Sequence, residues 1–141
     1  MNMNIKLRNT LAEITGASVA MIWMWYNLTE ASKMTIESIS KVLAQGIGIS
    51  IIAIIALTIV INIFSSVITG SYEKNIDDER DGLYELYALR LSSAIFGISI
   101  VTILVLLGWF NLTINIGLIA ITLSGFIASI VSLFLKIYLY N

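Results

Sequence analysis

The fold class the sequence predicts is all-α: an integral membrane protein with four transmembrane helices in an up-down bundle and both termini cytoplasmic. Three observations predict it. Hydrophobic residues make up 58% of the chain and charged residues only 12%, about half the roughly 25% charge of an average soluble domain. No charged residue occurs from Val42 to Tyr72, and none from Leu91 to Leu135. Aromatic residues gather where apolar stretches end, as they do at membrane–water boundaries. A soluble globule of 141 residues with a mean hydropathy of +0.93 would lack the polar surface it needs, so the bilayer is the natural solvent and first partner of this single membrane domain, residues 1–141.

The first helix is placed at 11–28. This stretch is apolar except for Glu13, Thr15, Ser18 and Asn27. Lys6 and Arg8 ahead of it give it the outline of a signal peptide. No cleavage pattern follows, however, and it ends in Trp23, Trp25 and Tyr26, so it reads as a retained span. The connection Thr29–Lys41 is short and mixed in charge, and a surface-lying helical turn fits it. The second helix is placed at 46–67, best defined over Gly46–Phe64, because a span needs about 20 apolar residues. The uncharged window Leu91–Leu135 is 45 residues long, too long for one span. It should turn at Trp109-Phe110-Asn111-Leu112-Thr113. That puts the third helix at 78–109, with a cytoplasmic extension over 78–90, and the fourth at 114–137.

Orientation follows from Lys and Arg in the short loops. With the N-terminus inside, Lys6, Arg8, Lys74, Arg80, Arg90 and Lys136 lie inside, and only Lys33 and Lys41 lie outside. Trp23, Trp25, Tyr26, Trp109 and Phe110 then mark the outer boundary, and Tyr72, Tyr138 and Tyr140 the inner one. The first and third helices end alike, in Trp25-Tyr26-Asn27-Leu28-Thr29 and Trp109-Phe110-Asn111-Leu112-Thr113. This echo suggests two hairpins in line, although any helix leaving a bilayer favours such residues. Gly16-x-x-x-Ala20, Ser93-x-x-x-Gly97 and Ser124-x-x-x-Ala128 each place two small residues on one face, where helices in lipid pack closely. Gly46 and Gly48, two apart, are expected to matter less. Any of these seams could instead serve a homo-oligomer.

Absences narrow the chemistry. There is no Cys, no His and no Pro, which excludes thiol chemistry, His-based triads, imidazole relays and proline kinks. A net charge of −1 without a basic run argues against nucleic acid.

Glu73–Arg90 carries nine of the seventeen charges. Asp77-Asp78-Glu79-Arg80-Asp81 matches the DDxxD string that holds magnesium diphosphate, and Asp78-x-x-Asp81-Gly82 opens the signature of CDP-alcohol phosphatidyltransferases. Both chemistries need further carboxylates, and no acidic residue follows Glu85. The expectation is therefore no catalytic residue, no metal and no cofactor. On a helix, Asp78, Asp81 and Glu85 fall within about 60° of one another, with Leu83, Leu86 and Tyr87 opposite. This reads as an amphipathic helix, capped by Asn75 or Asp77, whose acidic stripe is solvated. Glu73–Glu85 holds six acids and two bases, a sign repelled by anionic lipid, so the stripe of Asp78, Asp81 and Glu85 is a candidate docking face for a basic cytoplasmic protein. Glu13 lies about one turn inside the membrane. A carboxyl buried at such a depth can carry a proton, and small four-helix multidrug exchangers place a Glu in their first helix. The plainer reading is that Glu13 snorkels, or pairs with Arg90 at similar depth.

Asp78-Glu79-Arg80, followed by an amphipathic turn, Ala88 and an apolar span, resembles a family of small four-helix membrane proteins of unknown function with a DER motif before the third helix. The likeness covers about Asp77–Gly108. That family has a Lys before the Ala, where this chain has Tyr87. Its members are often encoded beside small helix-turn-helix regulators, so the resemblance implies a regulatory role. The functional expectation is a non-enzymatic membrane protein that acts as a regulatory or accessory partner. The alternatives are a proton-coupled exporter using Glu13 and a structural subunit of a larger membrane complex.

Overall fold

The structure is a computed structural model that describes residues 5–69 and 79–140. Among these the chain forms α1 (Ile5–Asn27), α2 (Ile36–Thr69), α3 (Glu79–Trp109) and α4 (Ile114–Tyr140), with a single 3-10 turn at Ala31–Lys33. α2, α3 and α4 are each long and apolar enough to cross a membrane. In a medium without water every backbone donor and acceptor must be paired internally, and a continuous helix does this.

The boundaries are instructive. α3 ends at Trp109 and α4 begins at Ile114, as the aromatic–Asn–Thr turn predicts. Asn111 takes a left-handed φ of 52°, which Asn tolerates better than most residues. The Phe110 and Leu112 amides both reach back to the Leu106 carbonyl, at 3.1 and 3.3 Å. The similar pentapeptide in α1 behaves differently: Asn27 is still helical, and its side-chain Nδ2 donates to the Trp23 carbonyl at 2.8 Å. The sequence echo therefore does not extend to the local turn geometry.

α2 starts at Ile36, well before the expected Gly46. Thr35 caps it, its hydroxyl oxygen accepting from the Ser38 amide at 3.2 Å, as Thr does at helix starts. Glu37 and Lys41 then pair one turn apart at 2.7 Å. The result is a helix of 34 residues, about 50 Å long at 1.5 Å per residue and longer than the ~30 Å hydrocarbon core. α1 likewise starts at Ile5, not Leu11. Its first turn is polar but supplied with partners: the Thr10 hydroxyl donates to the Lys6 carbonyl at 2.9 Å, and Asn9 accepts from Asn62 of α2 at 3.1 Å.

α1 packs along α2, and α3 along α4. The two hairpins meet chiefly where α1 lies on α4, with α2 touching α4 less extensively. α1 and α4 are thus central, and α2 and α3, though consecutive in the chain, are not packed along each other. The α1–α2 contact runs the length of α1, from Asn9–Asn62 through Gly16–Ile54 to Met24–Gly46. Ala12, Gly16, Ala20 and Met24, spaced by four, are all buried on it. The opposite face of α1 exposes Leu11, Val19, Ile22 and Tyr26.

Two of the three expected seams hold buried small residues, Gly16–Ala20 and Ala128 of Ser124–Ala128. Ser93 and Gly97 are exposed, and nothing lies within 4 Å of a Cβ built on Gly97. Gly46 does more than its spacing suggested, because Met24 sits directly over it. Near the α1–α2 connection, Met24, Ile39 and Leu43 form a buried cluster packed by Trp23, Leu118 and Phe126. There the Asn115 side chain donates to the Met34 carbonyl at 3.1 Å and ties α4 to the first hairpin.

A Cβ at Gly16 would lie 3.0 Å from the Ile54 backbone nitrogen. Backbone cannot step aside as a side-chain tip can. Gly16→Ala is therefore expected to destabilise by about 1–3 kcal/mol through overpacking, against a helix-propensity gain of at most about 1 kcal/mol. Gly48→Ala, where the space is open, should be neutral or stabilising. Unfolding of the detergent-solubilised protein in graded SDS compares the two.

Candidate functional site

Polar side chains collect at one end of the bundle, where α1 and α3 begin and α2 and α4 finish. The organising contact is an ion pair, Lys6 Nζ to Asp81 Oδ2 at 2.5 Å. It joins α1 to α3, two helices that otherwise barely touch. The two side chains are only 11% and 17% exposed. Arg8, one turn or less away, is also buried. Asn9 and Asn62 bond on the α2 side, and Asn62 Oδ1 is buried without a hydrogen-bond partner among the described residues. On the α4 side the Tyr84 and Tyr140 rings meet edge to face, 5.6 Å apart at 76°.

The rotation of α3 follows from this contact and takes Asp81 out of the expected solvated stripe. Asp81, Tyr84 and Ala88, at helical spacing, face the other helices; Ala88 is buried, and Asp81 and Tyr84 are partly so. Leu83, Leu86 and Tyr87 point outward, 51%, 41% and 51% exposed. Asp81, which has an internal partner, turns in, and the apolar side of this stretch does not.

The candidate docking residues therefore separate. Asp81 is engaged by Lys6. Glu85 is exposed, as is Arg80. Asp78 lies outside the described residues, as do the capping candidates Asn75 and Asp77 and the inner-boundary residue Tyr72. The continuous acidic stripe thus has one described member facing outward, Glu85. Glu13 is half-buried in α1 and Arg90 is exposed on α3. No ion pair between these two occurs among the described residues. No cluster of three metal-binding side chains occurs among the described residues either.

Sequence reasoning missed Lys6 as the partner of Asp81, and Asn9 as that of Asn62. The signal for the first was available: opposite charges stand at the same end of two helices that run in the same direction. The second needed the α1–α2 register, which Gly16 and Gly46 fix in space but not in sequence. No family model matches the chain, and neither a curated protein nor a solved structure resembles it. The likeness to the DER family therefore rests on the tripeptide and the helix count alone.

Removing one partner of a largely buried pair takes from the other charge the closest compensation it has across the helices. Asp81→Asn and Lys6→Met are each expected to cost about 3 kcal/mol, the low end for buried pairs. The double variant Lys6→Met/Asp81→Leu should recover most of that loss. Breaking Lys41–Glu37, which is 69% and 77% exposed, should cost no more than about 0.5 kcal/mol. SDS-unfolding midpoints of the four variants check the ranking.

Proposed function

We propose that the chain is a four-span, non-enzymatic accessory protein of the cell membrane that binds a basic cytoplasmic partner through the outward edge of its third helix. One observation carries this reading. α3 runs unbroken for 31 residues from Glu79 to Trp109, about 46 Å at 1.5 Å per residue, while the hydrocarbon core takes about 30 Å. If Trp109 sits at the outer boundary, the first ten or so residues stand clear of it as a rigid extension of the span. Glu85 is exposed on that extension, and the adjoining acidic segment continues the same sign of charge. The Lys6–Asp81 pair holds the extension to α1, so a partner that binds it acts on the bundle itself.

α1 is the fourth span in this reading. It is less apolar than the others, but it lies along α2 over its whole length and turns its small and polar residues toward neighbours. Residues sheltered from lipid need not be as apolar as those facing it. The excess of Lys and Arg at the polar end supports a cytoplasmic position for both termini.

The chain contains no cysteine, so single introduced cysteines report topology without background. Gly82→Cys should react with an impermeant maleimide only after the membrane is opened, and Leu112→Cys in intact cells. The reverse pattern would place the acidic extension outside and end the proposal. With the topology established, Glu85→Lys should weaken capture of the partner about tenfold, as expected for a charge reversal at an interface, and leave thermal stability unchanged. Gly48→Ala serves as the control. Identical partner recovery from both variants would rule out docking through Glu85.

A further inference from the structure

The hairpins leave an open-sided cavity between them, with Ala17 of α1 as its floor, Ile47, Ser50 and Ile54 of α2 on one side, Phe96 of α3 opposite and Thr122 of α4 behind. It shows which residues of the two outer helices stand at the same height: the middle of the Ile47–Ile54 stretch is level with Phe96. Two other contacts give the same register. Lys6, which the Asn9–Asn62 bond puts level with Ser65 of α2, meets Asp81 of α3. At the far end Asn115 meets Met34 just ahead of α2, and Gly117, half a turn on, lies against Leu107 near the end of α3.

The surfaces at equal heights do not match. Where α3 exposes Leu104, Trp109 and Phe110, α2 exposes Glu37, Lys41 and Gln45. Where α2 exposes Val60, Ile63, Phe64 and Val67, α3 exposes Arg80 and Glu85. The apolar band of α2 therefore runs from Gly46 to Val67, and that of α3 from Leu91 to Phe110. Each is about 30 Å long at 1.5 Å per residue, the thickness of the hydrocarbon core. Their midpoints are nevertheless displaced along the bundle by about 11 residues, or roughly 16 Å. The inner helices fall between. Exposed apolar residues run from Leu11 to Trp25 on α1, and from Ile114 to Phe134, ahead of Lys136, on α4. The four bands thus step along the axis in the order α2, α1, α4, α3. The helices also pack in that order, so one inclined plane passes through all four bands.

An upright bundle would have to sink Glu37, Lys41 and Gln45 into hydrocarbon, which charged groups resist. Otherwise it would lift Phe64 and Val67, 67% and 77% exposed, into water and give up their burial. Leaning avoids both, and membrane helices lean to match the bilayer at modest cost. α4 lies between α2 and α3, and packed axes stand 8–10 Å apart, which separates the outer pair by about 16–20 Å. A displacement of roughly 16 Å over that distance is levelled by a lean of about 40°. The outward reach of the Lys and Arg side chains lowers this to about 30°.

We propose that the bundle sits obliquely in the bilayer, leaning by about 30–40° along the line from α2 to α3, at the upper end of the range for membrane helices. The surface it offers to lipid is a slanted band. The lean carries the start of α2, residues 36–45, out of the membrane as a second polar helical projection, on the face opposite the start of α3. The inference rests only on α2 and α3 both crossing the bilayer, for which each is long and apolar enough. It holds whichever face the termini occupy, and with or without a cytoplasmic partner.

The chain lacks cysteine, so single nitroxide labels can be placed on the full protein in dioleoylphosphatidylcholine vesicles. Two pairs of exposed positions at equal heights are compared, Gln45→Cys with Thr102→Cys and Phe64→Cys with Leu83→Cys. Depth is read from the balance of collisions with oxygen and with a water-soluble nickel chelate. Thr102→Cys should lie about 10 Å deeper than Gln45→Cys, and Phe64→Cys about 10 Å deeper than Leu83→Cys. An upright bundle gives equal depths within each pair; that result, or a difference of the opposite sign, would overturn the proposal. Polarised infrared spectroscopy of the unlabelled protein in oriented bilayers supplies a second measurement. A mean helix inclination of about 30–40° supports the oblique bundle, and one below about 20°, the average for membrane helices, would overturn it as well.

Discussion

The close approach of α1 to α2 at Gly16 sets the geometry on which the other contacts depend. In lipid, apolar side chains gain nothing by leaving the solvent, so helices associate through packing where their backbones can come near. Gly16 lets the Ile54 backbone lie where a Cβ would clash, and one span further along Gly46 receives Met24. These two contacts fix the register of the first hairpin. The register in turn brings Asn9 level with Asn62 and places Ala17 as the floor of the cavity. The second hairpin uses the same device more loosely, with Gly117 against Leu107 and Gly125 against Phe96.

Polar contacts then decide which ends meet. Asn115 binds the Met34 carbonyl at one end, and Lys6 binds Asp81 at the other. Both contacts link the first hairpin to the second, and both lie at the extremes of the spans. The middle of the interface is left to α1 on α4. The bundle is therefore pinned at its two ends and open along one side between them, and the cavity lies in that opening. Burying the Lys6–Asp81 pair costs desolvation that its attraction only partly returns. Its value is in specifying which face of α3 turns inward.

Much of this was legible in the sequence, and what was not has physical reasons. The charge-free windows and the Trp109–Thr113 turn located α3 and α4 closely, because a polar break between two long apolar runs marks where the chain turns. The start of α2 was placed too late: hydropathy marks where lipid begins, whereas the helix begins at the Thr35 cap, which responds to backbone donors. Asp81 was read as part of a solvated stripe, because a helical projection shows which residues share a face but not that Lys6 of another helix meets one of them. The Gly16–Ala20 seam was recognised, but an equivalent pattern at Ser93–Gly97 meets nothing, since spacing identifies a flat face and cannot identify what opposes it. The cavity was invisible in sequence: Ala17, Ser50, Phe96 and Thr122 come from four helices, and no local pattern connects them.

The central position of α1 and α4 has a consequence for how the protein is made. α1 is the most polar of the four helices, and it is sheltered on one side by α2 and on another by α4. α4 follows the first hairpin in the chain, so until it is made the side of α1 that it covers lacks its neighbour. A product truncated before Ile114 would keep the α1–α2 contact and lose the α1–α4 one, leaving its most polar helix sheltered on one side only.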